Sequence, residues 1–80
     1  MEVKRFCKTQ RELAVSINTV VDAYWDEDIT EKKLLEEINK LHTQNKNKMI
    51  KGRDFTTVLK QHCGKRRLEV VDNILKIYQF

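Results

Sequence analysis

The sequence predicts an all-α protein, a small bundle of three to four helices in a single domain spanning residues 1–80. The chain has no proline and only two glycines, which leaves little material for the turns of a sheet protein. Its apolar residues recur at every third or fourth position over several stretches, as on one face of a helix. At 80 residues it has room for one small core, which a homodimer would stabilise further.

The first predicted helix begins at a capping box, Thr9-Gln10-Arg11-Glu12. In this motif the threonine hydroxyl and the glutamate carboxylate accept hydrogen bonds from free backbone N–H groups at the helix start. Five residues then recur with helical spacing and predict a buried face, with Trp25 extending it: Leu13, Ile17, Val20, Val21 and Tyr24.

A second helix is predicted over residues 31–45, capped by Thr30 and packed against the first as a helical hairpin. Its buried face comprises Leu34, Leu35, Ile38 and Leu41. The apolar spacing is then lost, so residues 44–53 are predicted to form a basic loop within the domain, in which Met49 and Ile50 return to the core.

Asp54 is the predicted cap of a short third helix, whose apolar face comprises Phe55, Val58, Leu59 and His62. Gly64 stands where this helix should end with a positive φ. A fourth helix then carries apolar residues over about half of its circumference, which is typical of a helix packed between others or shared with a second subunit. These residues are Leu68, Val70, Val71, Ile74, Leu75, Ile77 and Tyr78.

Residues 46–67 carry eight basic side chains and a single acid, Asp54, whereas the rest of the chain has a net charge of −3. A block this basic in a small protein indicates a surface that meets an anionic partner. The eight side chains are Lys46, Lys48, Lys51, Arg53, Lys60, Lys65, Arg66 and Arg67.

The junction at Gly64 allows two interpretations. If a helix starts there, Lys65, Arg66 and Arg67 lie at its positive end, where an anion such as a phosphate would be favourable. Alternatively, these cations face the negative end of the third helix, or the two helices are one helix with Gly64 inside it. Arg67 falls within the apolar sector and must reach solvent, pair with an acid or contact a partner. It is the first choice for a functional arginine.

A nucleic-acid backbone is the favoured ligand, contacted by Lys60, Lys65, Arg66 and Arg67 and helped by Lys46, Lys48, Lys51 and Arg53. A helix-turn-helix motif that reads bases fits poorly, because the following helix is apolar from Leu68 onward. The alternative is an adaptor or inhibitor that binds an acidic protein and no nucleic acid. Its predicted contact residues are Tyr24, Trp25, Val70, Ile74 and Ile77.

No catalytic motif is found, and the chain is predicted not to be an enzyme. Cys63 follows His62, but neighbouring residues on a helix point about 100° apart, and no carboxylate at helical spacing orients the histidine. The two cysteines and two histidines lack the close spacing of metal ligands, so no metal or cofactor is predicted. No apolar run suits a signal peptide or a membrane span, and we expect a cytoplasmic protein without membrane contact.

Three segments resemble a small family of uncharacterised proteins from Firmicutes bacteria and their phages and prophages. They are Lys8-Thr9-Gln10-Arg11-Glu12-Leu13-Ala14, residues 23–31 with Ala23-Tyr24-Trp25 and Ile29-Thr30-Glu31, and residues 58–69 with Cys63-Gly64-Lys65-Arg66-Arg67-Leu68-Glu69. The resemblance covers nearly the whole chain and implies no activity. It implies a cytosolic protein, for which a host factor becomes a reasonable partner.

Overall fold

A computed structural model of the chain describes residues 3–78, with side chains up to Ile77. In this part of the chain, α4 packs against both α1 and α2, and α1 packs against α2. The prediction of a small all-α bundle is confirmed. The elements are α1 (Gln10–Trp25), α2 (Glu31–Gln44), α3 (Lys46–Met49), the antiparallel strands β1 (Ile50–Lys51) and β2 (Asp54–Phe55), and α4 (Thr57–Tyr78).

Side-chain caps start the first two helices as predicted. The Thr9 hydroxyl accepts a hydrogen bond from the Glu12 N–H at 3.1 Å, and the Glu12 carboxylate accepts one from the Lys8 N–H at 2.8 Å. The Thr30 hydroxyl accepts one from the Lys33 N–H at 3.2 Å. Each cap satisfies backbone donors that the first helical turn leaves free.

The basic loop predicted at residues 44–53 is not a loop over most of its length. Gln44 ends α2, α3 forms one helical turn, and β1 begins a small hairpin. Asn45 explains the change of direction, because its buried side chain binds three backbone groups. Its Oδ1 accepts from the Cys7 N–H at 3.0 Å, while its Nδ2 donates to the Arg5 and Leu41 carbonyls at 2.6 and 2.9 Å.

The prediction that Asp54 caps the third helix is wrong. Asp54 lies in β2, and its carboxylate accepts only the neighbouring Phe55 N–H among backbone donors, at 2.8 Å. The helix starts after Thr56, whose carbonyl accepts the Lys60 N–H at 3.1 Å and whose hydroxyl donates to the Lys48 carbonyl at 3.2 Å. The buried face of this helix also differs from the predicted one. It holds Leu59 and Cys63, four residues apart, whereas His62 is exposed.

Gly64 divides α4 into residues 57–63 and residues 65–78, which we call its first and second halves, as the position of the glycine in the sequence predicts. Its φ of 78° and ψ of 169° are not helical, so the interpretation of one uninterrupted helix is wrong. This conformation is essentially restricted to glycine. The break frees carbonyl groups at the end of the first half, and the His62 carbonyl accepts a hydrogen bond from the Asn18 side chain of α1 at 3.0 Å.

The second half of α4 fills the space between the first two helices, which explains the breadth of its apolar stripe. Leu68, Val71, Ile74 and Leu75 are buried in one core with the apolar faces of α1 and α2, and Val70 packs at its edge. Ile77 is 58% exposed. The part of the stripe predicted at Tyr78 lies outside the described side chains.

Candidate nucleic-acid interface

The eight cations of residues 46–67 are distributed over three neighbouring elements. Lys46 and Lys48 lie on α3, which leads directly into β1. Lys51 ends β1, and Arg53 occupies the two-residue turn between the strands, next to Gly52 with its φ of 69°. The other four lie on α4, at or near the Gly64 break: Lys60, Lys65, Arg66 and Arg67.

Arg67 pairs with an acid of the protein itself. Its Nε and Nη2 donate to the two carboxylate oxygens of Asp22 on α1, at 2.8 and 3.0 Å, and its Nη1 donates to the Cys63 carbonyl at 3.2 Å. The guanidinium also lies 5.9 Å from the centroid of the Trp25 ring. Of the three fates that the sequence allows for Arg67, the pairing with an acid is the observed one. Arg67 thus ties α4 to α1, and its role as a functional arginine stays a prediction.

Two further cations are engaged within the chain. Lys60 forms an ion pair with Asp54, which lies six residues earlier on β2. The hydrogen bond that Lys60 donates to the Asp54 carboxylate lowers the pKa of that carboxyl below its usual value. The Lys48 ammonium lies 5.8 Å from the centroid of the Phe6 ring, within the range of a cation–π contact. Both cations keep only part of their capacity for an external anion.

Five cations form no ion pair with any acid in residues 3–77: Lys46, Lys51, Arg53, Lys65 and Arg66. All five side chains are exposed. We call them the free cations. They lie on α3, on the hairpin and on the first turn after Gly64, so the unpaired cations are fewer than the eight that the sequence predicts.

A groove joins the hairpin to the second half of α4 and brings Arg53 and Lys65 to the same depression. It has a volume of about 590 Å³. Ile50, Phe55 and Leu68 supply apolar lining, and the Lys60–Asp54 pair lies along it. Glu69 and Asp72 also line the groove, so its charge is mixed. The sequence does not predict this groove, since residues 50–55 and residues 64–72 come together only in the tertiary structure.

The residues predicted for a protein interface differ widely in exposure. Trp25 is 46% exposed and Ile77 is 58% exposed, whereas Tyr24 and Val70 are partly buried against the core. Ile74 is only 4% exposed, so its assignment to an interface is wrong. It faces α1 and α2 because α4 is packed between them.

The two cysteines are free and buried. The Cys63 thiol donates to the Ala14 carbonyl on α1 at 3.7 Å, and burial raises the pKa of this thiol to about 11. Since His62 is exposed and Cys63 faces the core, the two residues do not form a nucleophile–base pair. Within residues 3–77, no three His, Cys, Asp or Glu side chains converge as metal ligands.

A family model described as "Conserved hypothetical protein" matches residues 4–76. The chain belongs to this family. The match includes all eight cations and every residue of the groove, and it ends just before Ile77. No curated protein and no solved structure matches the chain. Among the described residues, no helix has both the length and the apolar character needed to span a membrane.

Proposed function

We propose that this protein binds the phosphate backbone of a nucleic acid through its free cations, without catalysis. One observation carries the proposal: five exposed lysines and arginines on adjoining elements have no acidic partner in the described part of the chain. Unpaired cations close together repel one another, and a chain of phosphates relieves that repulsion and releases counterions from the nucleic acid.

The proposed contact is with the backbone and not with base edges. After the first turn of this half, one face of α4 is buried in the core, and its exposed face carries the acid Glu69 and the ion pair between Lys76 and Asp72. Lys65 and Arg66 are therefore the unpaired cations that the second half of α4 offers to a ligand. A recognition helix needs several exposed side chains along its length to read the major groove. The hairpin contributes Lys51 and Arg53, which can position a phosphate but carry little sequence information.

A direct test is a titration of fluorescent duplex DNA, single-stranded DNA and RNA at about 50 and 200 mM salt, where phosphate contacts differ greatly in strength. The informative variant is Lys65→Ala/Arg66→Ala, which spares the Arg67–Asp22 pair. Lys32→Ala/Lys40→Ala is the matched control, because it removes the same charge from α2. Binding that weakens with salt and with the first variant alone supports the proposal. Equal binding by the two variants, or no binding at low salt, would contradict it.

A second candidate function is a cytoplasmic adaptor or inhibitor, of a phage or prophage type, that binds an acidic host protein. The observation in its favour is the half-exposed Trp25 at the end of α1, since tryptophan is a favoured anchor of protein interfaces. A Trp25→Ala variant that loses a host partner but keeps its fold supports this candidate. If the Trp25→Ala variant still binds nucleic acid as the wild type does, the adaptor function is distinct from nucleic-acid binding.

A homodimer would be compatible with either function. Among the described side chains of the C-terminal apolar stripe, Ile77 is exposed and available for contact with a second subunit. Light scattering tests this proposal, because a mass near 9.6 kDa at high concentration would exclude a dimer.

A further inference from the structure

We infer that the groove between the hairpin and α4 binds a short peptide segment of a partner protein, in which an apolar side chain lies close to an aspartate or glutamate. This inference goes beyond the nucleic-acid proposal, with which it shares only Arg53 and Lys65. It rests on the lining of the groove and on the charges that the protein's own ion pairs leave unmatched.

The apolar lining requires an apolar ligand group. Phe55 and Ile50 are partly buried and Leu68 is 7% exposed, so these side chains present carbon surface to the groove without being free in solvent. Water on such a surface is displaced favourably by an aliphatic or aromatic side chain. A phosphodiester backbone offers nothing of this kind, whereas a Leu, Ile or Phe of a peptide does.

The unmatched charges require at least one carboxylate. Arg53 and Lys65 line the groove without an ion-pair partner among the described residues, whereas Lys60 is already paired with Asp54. Arg53 can bind a carboxylate with two parallel hydrogen bonds, and Lys65 adds a second charge. One acidic side chain therefore complements both cations.

The acidic lining distinguishes a peptide from a nucleic acid. Asp72 lines the same groove and pairs with Lys76 at 3.1 Å, whereas Glu69 lines it without an ion-pair partner among the described residues. A strand with a phosphate at every nucleotide would place like charge next to Glu69. Like charges at an interface are strongly unfavourable. A peptide has neutral amides between its side chains, and its N–H groups can donate to the Glu69 carboxylate. The mixed lining therefore suits a peptide with one or two acids better than a polyanion.

The groove has a suitable size for such a segment. Its volume of about 590 Å³ lies within the range of about 300–1,000 Å³ that is usual for ligand pockets. It is bounded by a short hairpin and a helix, so an extended segment of a few residues can lie in it without displacing either element.

The test selects random displayed dodecapeptides on the immobilised full-length chain and then measures each selected peptide in solution by fluorescence anisotropy. Enriched sequences should combine Leu, Ile or Phe with a nearby Asp or Glu. Arg53→Glu and Lys65→Glu should each weaken binding by about tenfold or more, because each places an acid against the ligand carboxylate. Lys32→Glu, the matched charge reversal on α2, should have no effect. Circular dichroism shows whether each variant folds. Because there are two groove variants, the test remains valid if one of them fails to fold.

Amide NMR spectra locate the binding site on the chain. The selected peptide should shift the resonances of Phe55, Gly64 and Leu68 more than those of α2. Peptides without acids, shifts confined to other surfaces, or equal affinity for Arg53→Glu would overturn the inference. So would a short single-stranded oligonucleotide that displaces the peptide and produces the same shifts, since the groove would then be part of the nucleic-acid site. The two proposals fail separately: nucleic-acid binding without any peptide binding would remove only this inference, and peptide binding by a chain that binds no nucleic acid even without peptide would remove only the first.

Discussion

Arg67 and Asp22 form a two-pronged ion pair that joins α4 to α1, with N–O distances of 2.8 and 3.0 Å. The two residues are 45 positions apart in the chain. The pair holds the second half of α4 in place just after the Gly64 break, where the backbone itself provides no helical continuity. Arg67 thus has a structural role, whereas Lys65 and Arg66 at the same junction form no ion pair among the described residues.

The Arg67–Asp22 pair should contribute measurably to stability. A double-mutant cycle with Arg67→Ala and Asp22→Ala should give a coupling energy of about 1 kcal/mol, at the upper end for a partly exposed pair because both prongs are formed. The cycle is measured by urea denaturation. A coupling energy of zero within error would mean that the pair does not fix the packing of the two helices.

An L-residue at position 64 should strain the backbone, because the φ and ψ of Gly64 are essentially restricted to glycine. Changing Gly64 to L-alanine should lower the free energy of unfolding by about 1–3 kcal/mol, owing to backbone strain. The cost is conformational, since a Cβ added there meets nothing within 4 Å. D-Alanine, introduced by chemical synthesis, prefers the mirror-image conformation and should restore most of the loss. Equal destabilisation by both enantiomers would show that φ is not the cause.

Glu37 should give the fold an acid-sensitive contribution. Its side chain is 2% exposed, and its carboxylate accepts hydrogen bonds from Arg5 at 2.8 and 3.2 Å. Lys33 Nζ lies 3.1 Å from the same carboxylate. The hydrogen bonds from Arg5 are the main cause that lowers the pKa of Glu37 from 4.5 to about 2. Because the folded state holds the charged form more strongly than the unfolded state, the stabilisation is complete above the unfolded pKa and is lost as the pH falls toward the folded pKa.

The substitution Glu37→Gln should therefore lower the free energy of unfolding by about 1–3 kcal/mol near neutral pH, where the ionised glutamate is paired. The difference between wild type and variant should shrink steadily as the pH falls from about 5 to 2. Urea denaturation at several pH values measures both effects. A difference independent of pH would show that the loss comes from packing and not from the charge.

The thiols of Cys7 and Cys63 should react slowly in the folded protein. Cys7 is completely buried and Cys63 is 2% exposed, and the raised pKa of Cys63 leaves almost no thiolate near neutral pH. Reaction with a thiol reagent such as Ellman's reagent should become fast only in denaturant. Rapid modification of either cysteine without denaturant would contradict the buried positions of both side chains.

Local signals in the sequence predict the helical part of the fold well. The caps at Thr9 and Thr30 and the positive φ of Gly64 follow from side chains within three residues or from the residue type itself. The hairpin was not predicted, because a pair of two-residue strands has no alternation to detect. The sequence around Asn45 likewise predicts a loop, although its polar side chain is buried and forms hydrogen bonds with Cys7 and Arg5, about 40 positions away.

The candidate site could be predicted only as a set of charges. The sequence locates the eight cations, but the partners that engage Arg67 and Lys48 are Asp22 and Phe6, both remote in the chain. The pairing of Lys60 with Asp54 also depends on the hairpin that precedes α4. Which cations remain free is therefore a property of the tertiary structure.

Duplex DNA binding should depend steeply on the salt concentration if the free cations contact phosphates. If the five free cations each neutralise a phosphate, the logarithm of the affinity should fall with the logarithm of the salt concentration with a slope of about −4 to −5. Lys65→Ala/Arg66→Ala should reduce the magnitude of that slope by about 2, whereas Lys32→Ala/Lys40→Ala should leave it unchanged. A slope shallower than about −1, or the same slope for both variants, would contradict a backbone contact through the free cations.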